Sequence, residues 1–233
     1  MKVMKPDFFI VILAGVVHAT LQLGVGTQLL LYHASLGKHV KRKTRELVTN
    51  YIFGNALLTG LAVAGIAFVI SVICQGQMNA GLLVIVVGLL IALAISVWSF
   101  YYRWGKSTEL WLPKSVAKYI NNRAEKTESN TEAFGLGMLA CFGEAPFTIL
   151  LITIAANSIV ALPQVLQILA LVVYIIISVL PMIIMRVAIK KGQTVVDVQR
   201  WRLKNKRFIR TISGLGFFVL AFFLLVFKIL GAA

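Results

Sequence analysis

Residues 80–102 read AGLLVIVVGLLIALAISVWSFYY, an apolar run without a single charged side chain. At about 1.5 Å of rise per residue a helix of this length crosses a hydrocarbon core of roughly 30 Å, and a helix apolar on every face has no use for water. Comparable runs cover Phe8 to Tyr32, Val48 to Cys74, Ala133 to Asn157, Leu162 to Met185 and Thr211 to Leu230. None shows the two-residue alternation of a barrel strand. The expected fold class is therefore all-α: a polytopic membrane protein with six transmembrane helices. Composition agrees, since 59% of the 233 residues are hydrophobic and 13% are charged, against about 25% charged in soluble domains.

The charges that remain are unevenly placed. The link from Ser35 to Leu47 carries Lys38, Lys41, Arg42, Lys43 and Arg45 against Glu46. Six basic and four acidic residues lie between Arg103 and Glu132, and nine basic residues between Arg186 and Arg210 face only Asp197. The intervening links, Gln75 to Asn79 and Ser158 to Ala161, are short and uncharged. Basic segments stay on the cytoplasmic side. This alternation therefore predicts a multi-pass protein of the cytoplasmic (inner) membrane with both termini outside, Lys2 and Lys5 pulling mildly the other way. It also explains the net charge of +15 through anionic lipid headgroups at the cytoplasmic face, with no nucleic acid as partner. Val17-His18-Ala19 would suit a signal peptidase, but the apolar run outlasts a signal core and is expected to remain as a helix.

The organisation expected is a first three-helix half over 1–103, a cytoplasmic linker over 104–132, and a second half over 133–233 containing the basic loop 186–210. Within the linker, Trp111 to Ile120 has amphipathic spacing. Val195, Val198, Trp201, Leu203 and Phe208 give the basic loop a similar character, and both read either as interfacial helices or as solvated linkers. Trp98, Phe100, Tyr101, Tyr102 and Trp104 read as an interfacial anchor.

Function should reside in polar groups that are costly to hold in hydrocarbon, about 2.5 to 3.5 kcal/mol for an ionisable side chain at the centre of a helix. Of eight acids only Glu144 lies deep in an apolar run. It sits in Gly143-Glu144-Ala145-Pro146, where proline removes a backbone donor and predicts a break in the fourth helix. The first helix holds His18, Thr20, Gln22, Gly24, Gly26, Thr27 and Gln28, with glycines that permit a kink. Asn50, Asn55 and Thr59 form a shorter track expected to bond between helices, while Gly54, Gly60 and Gly65 read as packing residues. The candidate substrate or ion site is thus Glu144, His18, Gln22, Gln28, Thr27, Pro146 and Asn55, its metal affinity open. Cys74 and Cys141 form no CxxC or Cys/His cluster. Soluble-enzyme motifs such as a phosphate-binding glycine loop or HExxH are absent, so neither enzymatic activity nor a cofactor is expected.

Two sets of three helices lie in opposite orientation, each opening with its most polar, Gly- or Pro-interrupted helix, as in transporters built from inverted repeats. Ala14-Gly15-Val16-Val17-His18-Ala19, Gly24-Val25-Gly26, Leu29-Leu30 and Ser35-Leu36-Gly37, followed by a basic loop, resemble the opening of the lysine exporter (LysE) superfamily. That superfamily includes the DsbD/CcdA thiol-redox membrane domains and several metal-ion exporters. Cys141-Phe142-Gly143-Glu144-Ala145-Pro146 is similar to its fourth-helix motif. The resemblance implies two inverted three-helix repeats, breaks in the first and fourth helices, and export of a small polar solute or cation by alternating access of one half against the other. Glu144 would then bind or couple, with proton coupling an option. Thiol-redox members carry one cysteine in each motif helix. Here only Cys141 matches and His18 occupies the neighbourhood of the other, which argues against a transmembrane thiol shuttle; that shuttle stands as the alternative reading. A third reading is a membrane scaffold or accessory subunit. Oligomeric state is not legible in the sequence.

Overall fold

The apolar runs fold as long helices whose ends extend past the lipid-length segments. A computed structural model describes residues 6–21, 23–35, 41–100, 114–191 and 193–232 of the chain, and no strand occurs among them. In order the helices are α1 (Pro6–Thr20), α2 (Leu23–Ser35), α3 (Lys41–Ile73), α4 (Ala80–Phe100), α5 (Lys114–Lys126), α6 (Asn130–Val160), α7 (Gln164–Lys190), α8 (Val195–Lys204) and α9 (Lys206–Leu224). The last continues through a π-helical turn at Leu225–Ile229 into a 3-10 turn at Leu230–Ala232. Five helices, α3, α4, α6, α7 and α9, are long and apolar enough to cross a membrane. The pair α1 and α2, bent by 43° between Pro6–Thr20 and Val25–His33, makes up to a sixth span.

Several boundaries differ from the sequence reading for one reason. Basic side chains can continue a helix past the hydrocarbon because their stems pack while their heads reach water. Hence α3 begins at Lys41 rather than Val48, and the supposed loop 186–210 is mostly helix, divided among α7, α8 and α9. Capping boxes set two of the new ends, Ser129 with Glu132 before α6 and Thr194 with Asp197 before α8. Hydrogen bonds from the Thr194 hydroxyl and N–H hold the exposed Asp197 carboxyl below its ordinary range. The linker segment is amphipathic in its helical part, with Ile120 and Ala124 of α5 buried and Lys118, Tyr119, Arg123 and Lys126 exposed. Residues 101–113, which hold much of the expected aromatic anchor and the start of the linker, lie outside the described residues.

The tightest crossing is α3 on α6, and glycine makes it possible. A Cβ on Gly54 would run into the Phe134 carbonyl, and one on Gly137 would run into the Tyr51 carbonyl with the Asn55 nitrogen 2.9 Å away. Backbones can approach this closely only where side chains are absent. Gly60 also packs, its Cβ position 2.8 Å from Ile175 Cδ1, but Gly65 faces open space and is not a packing residue. α1 lies against α6, α7 and α9, and α4 lies along α9. Asp7 at the start of α1 pairs with Lys228 near the end of the chain. The start of α1 and the π-helical turn that follows α9 therefore meet at one end of the bundle.

Two apolar clusters fill the interior. One contains Ile10, Val17, Leu21, Val63, Leu151, Ala155, Tyr174 and Phe217; the other contains Val25, Leu29, Leu47, Tyr51, Leu136, Ala140, Val179 and Met182. On helix after helix the step from one cluster to the other falls at polar residues: Asn55 and Thr59 on α3, Glu144 and Thr148 on α6, Ser178 on α7. A polar layer is thus sealed between two greasy ones.

Candidate functional site

That layer is assembled around the break in the first span. α1 stops at Thr20, which leaves the carbonyls of its last turn without helical donors. They are taken up locally. Thr20 Oγ1 donates to the Val17 carbonyl at 2.7 Å and Leu21 N–H to the His18 carbonyl at 3.1 Å, while Ser213 Oγ on α9 shares its one proton between the Ile209 carbonyl of its own helix at 2.9 Å and the Thr20 carbonyl at 3.3 Å. The break leaves His18, itself buried, on the last turn of a half-helix.

His18 is 5% exposed and Glu144 is 5% exposed. His18 Nε2 lies 3.7 Å from Glu144 Oε2, and His18 Nδ1 lies 2.9 Å from the Tyr174 hydroxyl. The longer distance exceeds hydrogen-bond length, so the two groups face each other across a gap that one proton or one small cation can occupy. If Tyr174 donates to Nδ1, the neutral ring carries its hydrogen on Nε2 and directs it at Glu144; if the ring is doubly protonated, Tyr174 accepts and the pair is ionic. Either way Tyr174 fixes the ring. A small cavity of about 10 Å³ adjoins the pair, lined by His18, Val25, Asn55, Glu144, Ser178 and Met182 among others. It has room for about one water. The space is narrow, and nothing as large as an amino acid fits without movement.

The remaining sequence candidates divide around this centre. Asn55 lines the cavity through α3 while its Nδ2 donates to the Gly137 carbonyl at 3.4 Å. Thr59 contacts Cys141 Sγ at 3.5 Å. Asn50, expected to bond between helices, instead donates to the Glu46 carbonyl of its own helix at 2.9 Å. Five residues along a helix turn by about 500°, so Asn50 and Asn55 cannot share a face. Gln28 is fully buried and donates through Nε2 to the Met182 carbonyl at 3.2 Å. Thr27 is buried and hydrogen-bonded to the Tyr51 hydroxyl. Gln22 lies outside the described residues.

Pro146 departs most from expectation. α6 runs unbroken from Asn130 to Val160 with Pro146 inside it. The proline ring is exposed, turned to the outer face of the bundle rather than into the cavity. Proline costs one intrahelical donor, that for the Phe142 carbonyl, while the Thr148 hydroxyl donates to the Glu144 carbonyl at 3.1 Å and reinforces the same turn. The break expected here is absent from α6, while the first span is bent between α1 and α2.

Tyr174, Ser178 and Tyr51 escaped the sequence reading. Tyr174 carried a signal, being a lone hydroxyl within Leu171 to Ile177, but a tyrosine in an apolar run reads as bulk. Because phenylalanine keeps the ring, Tyr174→Phe is expected to fold normally and to lower stability by about 1 to 3 kcal/mol, the usual effect of stranding a buried partner. A thermal-unfolding comparison in detergent measures it.

The donors offer one imidazole nitrogen, one carboxylate and the amide and hydroxyl oxygens of Asn55 and Ser178. No cluster of three or more His, Cys, Asp and Glu side chains suited to a metal occurs among the described residues. Cys141 sits beside Thr59, and Cys74 follows the end of α3. The fifteen-residue step from Thr59 to Cys74 separates the two free thiols by about 20 Å along the helix, far beyond exchange distance. A roomier groove of about 290 Å³ lies between α5 and α6, lined by Tyr119, Arg123, Lys126, Thr127, Glu132 and Leu136 among others. Most of its polar groups are exposed and hydrate freely, so it carries none of the cost that singles out Glu144. Neither a family model, nor a curated protein, nor a solved structure matches the chain.

Proposed function

We propose that the protein is a membrane transporter that moves a small polar solute or cation by alternating access, in the exporting direction, through a site built on Glu144 and His18. The observation that carries this reading is the convergence of an acid and an imidazole, from spans far apart in the chain, on one buried cavity. Each group is costly to hold in hydrocarbon. A carboxylate and an imidazole that share a gap can exchange a proton for a cation, which is the elementary act of a coupled carrier.

An inverted-repeat arrangement fits the packing. Exchange α1/α2 with α6, α3 with α7, and α4 with α9. The α1–α7 contact then becomes α6–α3, the α1–α9 contact becomes α6–α4, and α1–α6, α3–α7 and α4–α9 map onto themselves. All of these pairs touch. Because helices of both halves contribute to both apolar clusters, the least disruptive motion is a swing of α2 about the break after α1. We place the basic segments in the cytoplasm and both termini outside, and we read the LysE-like motifs as supporting this class of carrier. Anionic headgroups then surround α5 and α8.

The test is flux in proteoliposomes under an imposed pH gradient, with a panel of monovalent and divalent cations and amino acids. At least one member should move and dissipate the gradient as it does so. A panel that leaves both its own distribution and the gradient untouched contradicts the proposal.

A further inference from the structure

Arg202 lies on α8, a ten-residue helix at the basic-loop end whose neighbouring residues Trp201, Leu203 and Lys204 are exposed, yet Arg202 itself is only 3% exposed. Its guanidinium rests against α2: a Cβ built on Gly26 would lie 3.7 Å from Arg202 Nη1 and 4.0 Å from Nη2. The preceding residue, Val25, lines the His18–Glu144 cavity. Consecutive helical residues point about 100° apart, so one turn of α2 shows one flank to the cavity and the next to the guanidinium. Desolvating a guanidinium is costly, and a basic loop rich in exposed charges has no topological need to bury one.

We infer that Arg202 is the latch of an inner gate: it braces the half-helix α2 against the cavity, and its withdrawal with α8 opens the site to the basic-loop face. The inference rests on reading the cavity as a transport site. α8 is built to move as a unit. Its start is closed by its own capping box, its end meets α9 at Asn205, where the backbone leaves helical geometry (φ −96°, ψ 13°), and Val195 and Arg202 are its two buried residues. Gly26 leaves the guanidinium its seat. An alanine there would make ordinary contact, whereas a leucine would displace the arginine.

The experiment reads opening rather than transport. Ser178→Cys places a thiol on the cavity wall, and proteoliposomes of known orientation are exposed to the impermeant reagent methanethiosulfonate ethyltrimethylammonium from one face at a time. Peptide mass spectrometry separates position 178 from Cys74 and Cys141. Adding Arg202→Ala is expected to speed labelling at least tenfold from the basic-loop face and leave it unchanged from the other; Gly26→Leu should reproduce the effect, and Arg202→Lys should fall between. Unchanged labelling in both Arg202→Ala and Gly26→Leu overturns the latch, as does an equal rise from both faces or a parallel rise at buried Cys141, which would report general loosening. Glu144→Gln is expected to leave the contrast in place, so a failure of the transport reading and a failure of the latch give different results.

Discussion

Leucine at position 137 is expected to abolish the folded bundle. The α3–α6 crossing brings the Tyr51 carbonyl to the place where any side chain at Gly137 would begin, and the Asn55 nitrogen stands 2.9 Å from the same point. Both obstacles are backbone atoms of α3, so no rotamer change relieves them. Overpacking that side chains can absorb costs about 1 to 3 kcal/mol; here the helices must part, and the loss should exceed that range. Gly54→Leu, which meets the Phe134 carbonyl, should behave alike. Gly65→Leu, with nothing near it, should be silent. Fluorescence-detected size exclusion after mild heating distinguishes them, and a well-folded Gly137→Leu would mean the crossing is wrongly placed.

The second large effect concerns chemistry alone. Glu144→Gln keeps the side chain's size but replaces the carboxyl group that faces His18 with an amide that cannot exchange a proton. Transport is expected to fall about 100-fold, equivalent to roughly 2.7 kcal/mol, and its pH dependence to flatten. Stability should change little, because the amide matches the carboxyl in size and can still hydrogen-bond beside His18. Flux as a function of pH, paired with a thermal-unfolding measurement, separates this from the Gly137 effect, which removes stability and transport together.

These contrasting substitutions also mark what could be read in the sequence. Hydrocarbon length and the absence of charge identify α4 and α7 almost unaided, and the cost of burying polar groups singles out Glu144 and His18 before any coordinates. Faces are harder. Asn50 and Asn55 belong to the same polar track on paper, but helical rotation sends one to its own backbone and the other to the cavity. Proline shows the limit of a local rule: Pro146 is tolerated because its ring lies on the exposed side of α6 and a single carbonyl loses its donor, whereas the first span breaks between Thr20 and Leu23, ahead of Gly24 and with no proline nearby. Arg202 was hidden by its company. Among nine basic residues in one segment, only tertiary placement shows which one is buried.

Whether Glu144 and His18 form one unit is tested most directly by a double-mutant cycle on transport, comparing Glu144→Gln, His18→Gln and the combined variant with the wild type. One shared proton or cation between them predicts that the combined loss is no greater than that of the more damaging single change, a coupling of more than about 1 kcal/mol. Losses that multiply, or two single variants that transport normally, would show that the two side chains act separately and that the cavity between them is not the seat of function.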